Sequence, residues 1–356
     1  MKNNELNFNG QIIYVGIDVH KKSWQITIIL NGMIVKKISI NPNPEELSNY
    51  LKRNYPNAIY YSVYEAGFSG FWADRELRSM GIINIVVNPA DVPTKSKERR
   101  TKTDRIDSTK LARELSVNHL EGIYIPSEKA EALRTLVRLR RQLVTNQTRE
   151  KNRIKSLLLF LGYKVDDNIQ TKHWSQNYIK ALINLDIKHL EAKTTLNELL
   201  TYLNFIRTQL AKILKQIKQF IENDEESRQI IKILQSVPGI GFIIAIILYS
   251  EIIDIGRFKK FDELVRYVGL SPAIYSSSEK EINLGLTKQK NKYLRNFLIE
   301  ASWAAIKKDP ALQMAYGNLC KKMPPAKAII RISKKLLSRI RYVWSNRQEY
   351  VIAVTK

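Results

Sequence analysis

Residues 12–18 form a short apolar run, residues 24–30 alternate apolar with polar positions, and residues 33–40 resume that alternation after Asn31-Gly32. A period of two marks strands, and Asn-Gly between two of them predicts a tight hairpin. The pattern then predicts a helix over 44–53, a strand over 59–64, a helix over 70–80 and a strand over 82–87. From 127 to 162 the strand signal stops. Leu133, Leu136, Leu139 and Leu143, then Ile154, Leu157, Leu158 and Leu161, recur at helical spacing. A second run is more regular: Leu196, Leu199, Leu203, Ile206, Leu210, Ile213, Ile217 and Phe220. Its steps alternate three and four, the heptad spacing of a coiled-coil seam. The two helical segments can pair as an antiparallel hairpin, or either can zip to another subunit; periodicity does not choose. Residues 223–227 are a polar, acidic break, and the unit beyond it is mostly helical, running to a basic helix over 327–341.

Three strands in a meander, then helix, strand, helix and strand, is the element order of an RNase H-like domain. The pattern therefore predicts an α/β domain over 1–125, a helical coiled-coil region over 126–227 and a mostly α domain over 228–356.

Charge narrows the partners. Lysine and arginine number 58 against 34 acidic residues, a formal net charge of +24 in 356 residues. Such an excess attracts polyanions over long range, and phosphate backbones are the commonest of them. An acidic membrane surface is the rival, but neither end carries a lipidation signal. The most apolar stretch, 240–248, is far too short to span a bilayer. Residues 1–10 lack the apolar core of a secretory signal, and the single cysteine, Cys320, suits a reducing compartment. The expected location is the cytoplasm. His20, His119, His173 and His189 are scattered, so a zinc site is not expected, and any metal must be a hard ion held by carboxylates.

Four carboxylates stand where such an ion could be held. Asp18 closes the first strand and Glu65 the fourth, and these two strands are neighbours in an RNase H-like sheet. Asp104 and Asp107 lie three apart at the start of a helix, so both can face one way. Singly, each has an ordinary account: Asp104 as an N-cap, Asp107 as a first-turn acid favoured by the helix dipole, the others as solvated acids. Jointly, in so basic a chain, they suggest a site for one or two Mg²⁺ ions, with Mn²⁺ the alternative, serving phosphoryl transfer. Lys95, Lys97, Arg99, Arg100, Lys102 and Arg105 crowd the preceding loop, placed to hold a nucleic-acid backbone.

These motifs resemble a known family. Residues 14–21 (YVGIDVHK) are similar to the opening of the DEDD transposases of insertion elements, whose RuvC-like domain has the RNase H fold. Residues 101–107 (TKTDRID), followed by Lys110-Leu111-Ala112, resemble that family's second acidic motif, and Glu65 falls at its glutamate. Residues 234–241 (LQSVPGIG) open the C-terminal resemblance. There Pro238-Gly239-Ile240-Gly241 reads either as a helix-hairpin-helix turn, with Gly239 and Gly241 offering backbone N–H groups to a phosphate, or as an ordinary interhelical turn. Tyr275-Ser276-Ser277-Ser278 resembles the family's Tyr-Ser-Ser-Gly, which implies Ser277 as the nucleophile. Ser278 replaces the glycine, so Ser276 and Ser278 remain alternatives. Residues 285–291 resemble the family's Gly-x-Thr-Lys-x-Gly-Asn, with Lys290 at the second glycine; Lys288 and Arg295 become candidate DNA contacts.

The resemblance implies a recombinase that cuts and rejoins DNA, the carboxylates binding Mg²⁺ while the serine attacks. It implies a homodimer or homotetramer, a structured bridge RNA that guides the protein, and a nucleoid-associated prokaryotic setting. For the RNA, the helix bearing Arg134, Arg138, Arg141, Arg149, Arg153 and Lys155 offers a candidate basic face. Two other readings stand beside it: a resolvase-type metal-dependent nuclease using water, and a non-catalytic nucleic-acid-binding protein.

Overall fold

The computed structural model describes residues 7–93, 104–163, 174–277, 280–287, 291 and 293–352, with backbone alone at 104–106, 273–277 and 280–284. The chain divides into two compact units, Met1–Ile125 and Pro126–Lys356.

The first unit is a five-stranded mixed sheet with helices on both faces. Its strands are β1 (Ile12–Val19), β2 (Trp24–Leu30), β3 (Met33–Ile40), β4 (Ile59–Glu65) and β5 (Ile83–Val87), in the order β3-β2-β1-β4-β5. β1 runs antiparallel to β2 and parallel to β4, and β4 is parallel to β5. The β2–β3 turn forms as the sequence predicts, with Asn31 and Gly32 both at positive φ (50° and 77°), the geometry of a type I′ turn. α1 (Pro44–Asn54) is capped by Asn43, whose side chain accepts from the Glu45 N–H. α2 (Trp72–Ser79) starts two residues later than the apolar pattern suggests, because Gly70 turns the chain at φ 60°.

Strand alternation divides the sheet into two faces. Ile13, Val15, Ile17, Ile26 and Ile28 pack with Leu47 and Leu51 of α1 and Ala73 and Leu77 of α2. The opposite face, with Val63 and Val87, meets Leu111 and Leu115 of α3 (Asp104–Ser116). α3 lies close because β1 has no side chain at Gly16. A Cβ there would stand 2.1 Å from the Ser108 carbonyl oxygen and 2.5 Å from the Ala112 nitrogen. The helix is also pinned by polar bonds: Thr27 of β2, the register partner of Gly16 in β1, is buried, and its hydroxyl is 3.0 Å from Ser108 Oγ and 3.1 Å from Thr109 Oγ1. Gly16→Ala should therefore push α3 off the sheet, at a cost of about 1–3 kcal/mol or more. A thermal melt of the variant reads this as a lower transition temperature for the N-terminal unit; an unchanged melt would refute the close packing.

The second unit is mostly helical. α4 (Glu128–Phe160) and α6 (Leu190–Glu222) are its long members, joined through α5 (Gln176–Ile183). They pair with each other in an antiparallel sense. Ile154 and Leu158 near the end of α4 share a core with Leu196, Leu200 and Leu203 near the start of α6. At the opposite end, Val137 shares one with Ile213, Ile217 and Ile221. The buried stripe drifts off the heptad at its end: Phe220 is 59% exposed and Ile221 takes the inward place. A 3.6-residue turn produces that drift once the pair is not wound as a long supercoil.

Beyond α6 come α7 (Glu225–Ser236), α8 (Phe242–Ile252), α9 (Phe261–Val268), β6 (Pro272–Ser277), β7 (Lys280–Leu286), α10 (Arg295–Ala305), α11 (Pro310–Cys320) and α12 (Pro325–Asn346). Their core is continuous with Val137 of α4 and with the last turns of α6. The acidic break at 223–227 therefore does not separate compact units; Asp224 within it caps α7 by accepting from the Ser227 N–H.

Candidate active site

In the first unit, Ile17 of β1 sits opposite Tyr64 of β4, so Asp18 and Glu65 follow side by side at one end of two parallel strands. Asp18 is two positions after Gly16, and Glu65 two after Val63, so alternation puts both on the α3 face. The Asp18 side chain is 19% exposed, with its Oδ2 3.0 Å from His20 Nε2. Asp107 is half-buried and directly precedes Ser108, the residue packed over Gly16. Asp104 begins α3, on the row that continues through Ser108.

Among the described residues, no three His, Cys, Asp or Glu side chains form a group that could hold a metal ion. The Asp104 carboxylate lies outside the described atoms, as does the side chain of Arg105; Lys102 and the rest of the preceding basic loop, through Lys95, lie outside the described residues. The donors themselves are all carboxylates, the hard-oxygen set that suits a divalent cation such as Mg²⁺.

In the second unit Ser276 and Ser277 stand at the end of β6, in a hairpin with β7. Ser276 pairs with Glu281 and Ser277 with Lys280 across β6 and β7; Ser278 and Lys288 are outside the described residues. The base of this hairpin is fastened. The Thr287 N–H donates to the Ser271 carbonyl at 3.1 Å, and the Asn291 N–H donates to the Tyr267 carbonyl at 2.9 Å. The Arg295 guanidinium donates to the Thr287 carbonyl, and burial lowers its pKa from the usual arginine range. In this structure, then, Arg295 braces the exit of the hairpin.

Below that base lies a polar centre which the sequence pattern did not single out. Glu251 is 1% exposed at the end of α8. Arg138 of α4 grips it with two parallel bonds, Nε to Oε1 at 2.7 Å and Nη2 to Oε2 at 2.8 Å. Asn291 Nδ2 donates to Oε2 at 2.8 Å, and the Tyr267 hydroxyl donates to the Glu251 carbonyl at 2.8 Å. Arg134 donates to the Ser250 carbonyl at 2.9 Å. The hydrogen bond to Glu251 raises the Arg138 pKa, whereas burial lowers that of Arg134. Arg138 and Arg141 also stack on Tyr293, and Arg141 on Phe297. The basic face expected along α4 is thus partly spent inside the protein: Arg134, Arg138 and Arg141 face protein partners, Arg153 is exposed but pairs with the buried Glu150 at 3.1 Å, and Arg149 and Lys155 are exposed. One signal was available, a lone glutamate on the otherwise apolar α8.

Gly239 has a packing role. Its φ is 87°, and a Cβ would lie 2.4 Å from the Ala301 carbonyl oxygen where α10 crosses. Gly241 is different, since it N-caps α8, is exposed and has open space around its Cα.

Comparison with known proteins places both regions. A family model described as "Transposase" and named for DEDD transposases of the IS110 type matches residues 15–162, and one described as "Transposase IS116/IS110/IS902 family" matches 231–317. The chain belongs to the DEDD transposases of the IS110 type. The first match spans all four carboxylates, and the second spans Glu251, the β6–β7 hairpin and Arg295. Similar proteins include y4qE of Sinorhizobium fredii, 29% identical over 294 residues, covering 82% of this chain and 71% of that one. The transposase for insertion sequence element IS1533 of Leptospira borgpetersenii is 29% identical over 303 residues, covering 82% and 84%. The transposase for IS1111A of Coxiella burnetii is 26% identical over 246 residues, covering 69% and 65%. Membership in this transposase family implies DNA as partner and a dependence on a divalent metal. No helix among the described residues is long and apolar enough to cross a membrane.

Proposed function

We propose that this IS110-type transposase cuts and rejoins DNA through a site of two parts, the carboxylates Asp18, Glu65, Asp104 and Asp107 and the nucleophile Ser277. The observation that carries the reading is the register of β1 and β4, which sets Asp18 and Glu65 side by side on the face crossed by α3. The four carboxylates would hold Mg²⁺, with Mn²⁺ as substitute. The bound cation would supply positive charge to the oxygens of the scissile phosphate. Ser277 Oγ forms a bond to phosphorus as the bond from phosphorus to the deoxyribose oxygen breaks. The hydroxyl proton of Ser277 passes to solvent water, and the departing deoxyribose oxygen takes one up from water. The phosphoserine diester conserves the bond energy for rejoining by a second deoxyribose hydroxyl. A neutral hydroxyl is a weak nucleophile and needs this assistance.

Lys102, Arg105, Lys288 and Arg295, with the Gly239-Gly241 turn, would hold the DNA backbone; of the turn's two glycines, the exposed Gly241 at the α8 N-terminus suits that role better. A structured RNA encoded beside the gene would select the sites by base pairing, and a dimer or tetramer would assemble the two parts.

The experiment is a comparison of Ser277→Ala, Ser276→Ala and Ser278→Ala in strand cleavage and in trapping of a detergent-resistant protein–DNA adduct. Ser277→Ala should lose both, and the other two should retain both. Nicking by Ser277→Ala, with no adduct from the parent, would instead establish a resolvase-type nuclease that uses water.

A further inference from the structure

α12 buries one face and leaves the other to solvent. Ile329, Ile332, Leu336, Leu337, Ile340 and Val343 are buried in the second unit's core. On the opposite side Lys327, Arg331 and Lys335 are exposed and Lys334 is half-buried. At helical spacing these four fall on one stripe, and from Lys327 to Lys335 the stripe is about 12 Å long. Between residues 310 and 348 the chain has nine Lys and Arg and no Asp or Glu.

Fold stability does not account for the stripe. The other cations of this helix and its cap have protein partners: Arg339 pairs with Asp309, Arg341 donates to the Phe258 and Lys259 carbonyls, and Arg347 pairs with Glu226. The four stripe residues have no acidic partner among the described residues. Their mutual spacing is unfavourable, because like charges three and four apart on a helix repel. Lys327 also sits in the first turn, where the helix dipole favours an acid and α12 has none. The stripe therefore costs the free protein stability, and a bound polyanion would remove that cost.

We propose that the exposed face of α12 is a docking track for the phosphate backbone of duplex DNA. Duplex DNA carries one charge per roughly 1.7 Å of axis, so a track of about 12 Å meets several phosphates at once. The inference rests on DNA as the family's partner and is independent of which serine reacts.

The test is fluorescence anisotropy of the full chain on a duplex of arbitrary sequence across a salt series. K327Q/R331Q/K335Q should bind at least about tenfold more weakly at low salt and lower the magnitude of the log–log salt slope by roughly 2 to 3, near 0.9 per lost contact. Its melting temperature should not fall. The charge-retaining K327R/R331K/K335R and the K212Q/K215Q pair on α6 should keep a slope near the parent's. An unchanged slope for the glutamine triple would overturn the track, as would an equal loss in the α6 control. Loss of slope on single-stranded RNA alone would overturn it too, as would a parent chain that fails to bind the duplex.

Discussion

Asp18→Asn is expected to lower DNA strand cleavage by on the order of 10³-fold or more while leaving the protein folded. The substitution keeps the shape of the side chain and an oxygen able to accept from His20, which stands 3.0 Å from the native carboxylate. It removes only the negative charge. A purely structural Asp18 would tolerate that change, because the position is at the end of β1 and retains partial exposure. A ligand would not, since a neutral amide oxygen holds a divalent cation far more weakly than a carboxylate. Glu65→Gln should fall by a similar factor. The double variant should fall by much less than the product, as groups serving one ion act as a unit. Metal titration of cleavage, with thermal melting as the check on folding, reads the outcome. Cleavage within about tenfold of the parent, at an unshifted metal requirement, would remove Asp18 from the site.

The second large effect is on stability. Glu251→Ala should destabilise the second unit by about 3–5 kcal/mol, the cost of breaking a buried ion pair from one side. Arg138 and Asn291 would both lose the carboxylate they donate to. Glu251→Gln, which keeps an acceptor and the packing, should cost less, about 1.5–3 kcal/mol for lost charge-assisted bonds. Denaturant unfolding measures both. Hydrogen exchange of the Asn291 amide should quicken most in the alanine variant, because its bond to the Tyr267 carbonyl depends on that residue staying in place. A change below about 1 kcal/mol for Glu251→Ala would show that the centre does not hold the hairpin base.

The sheet was legible because its signals are local. Asn31-Gly32 can hardly form anything but a tight turn, and β2 and β3 end where their alternation ends. The placement of Asp18 and Glu65 followed from strand order, since their residue types and strand ends could be read directly. The serine hairpin was hidden because Ser276, Ser277 and Ser278 are polar without alternation, so nothing distinguishes a strand end from a loop. Arg134 and Arg138 misled for another reason. On a long helix a basic residue facing solvent and one facing a buried carboxylate look alike, and Glu251 is more than a hundred positions away. The late part of α6 shows the limit of a heptad reading, where one position of drift exchanges Phe220 for Ile221.

The central claim is that Ser277 forms a covalent bond to DNA with help from the carboxylates. The most direct measurement is mass spectrometry of the nucleotide-linked peptide recovered from a reaction trapped in Mg²⁺. A phosphodiester on Ser277, absent from the Asp18→Asn protein, is the predicted result. Cleaved strands with free termini and no protein-linked nucleotide would contradict it.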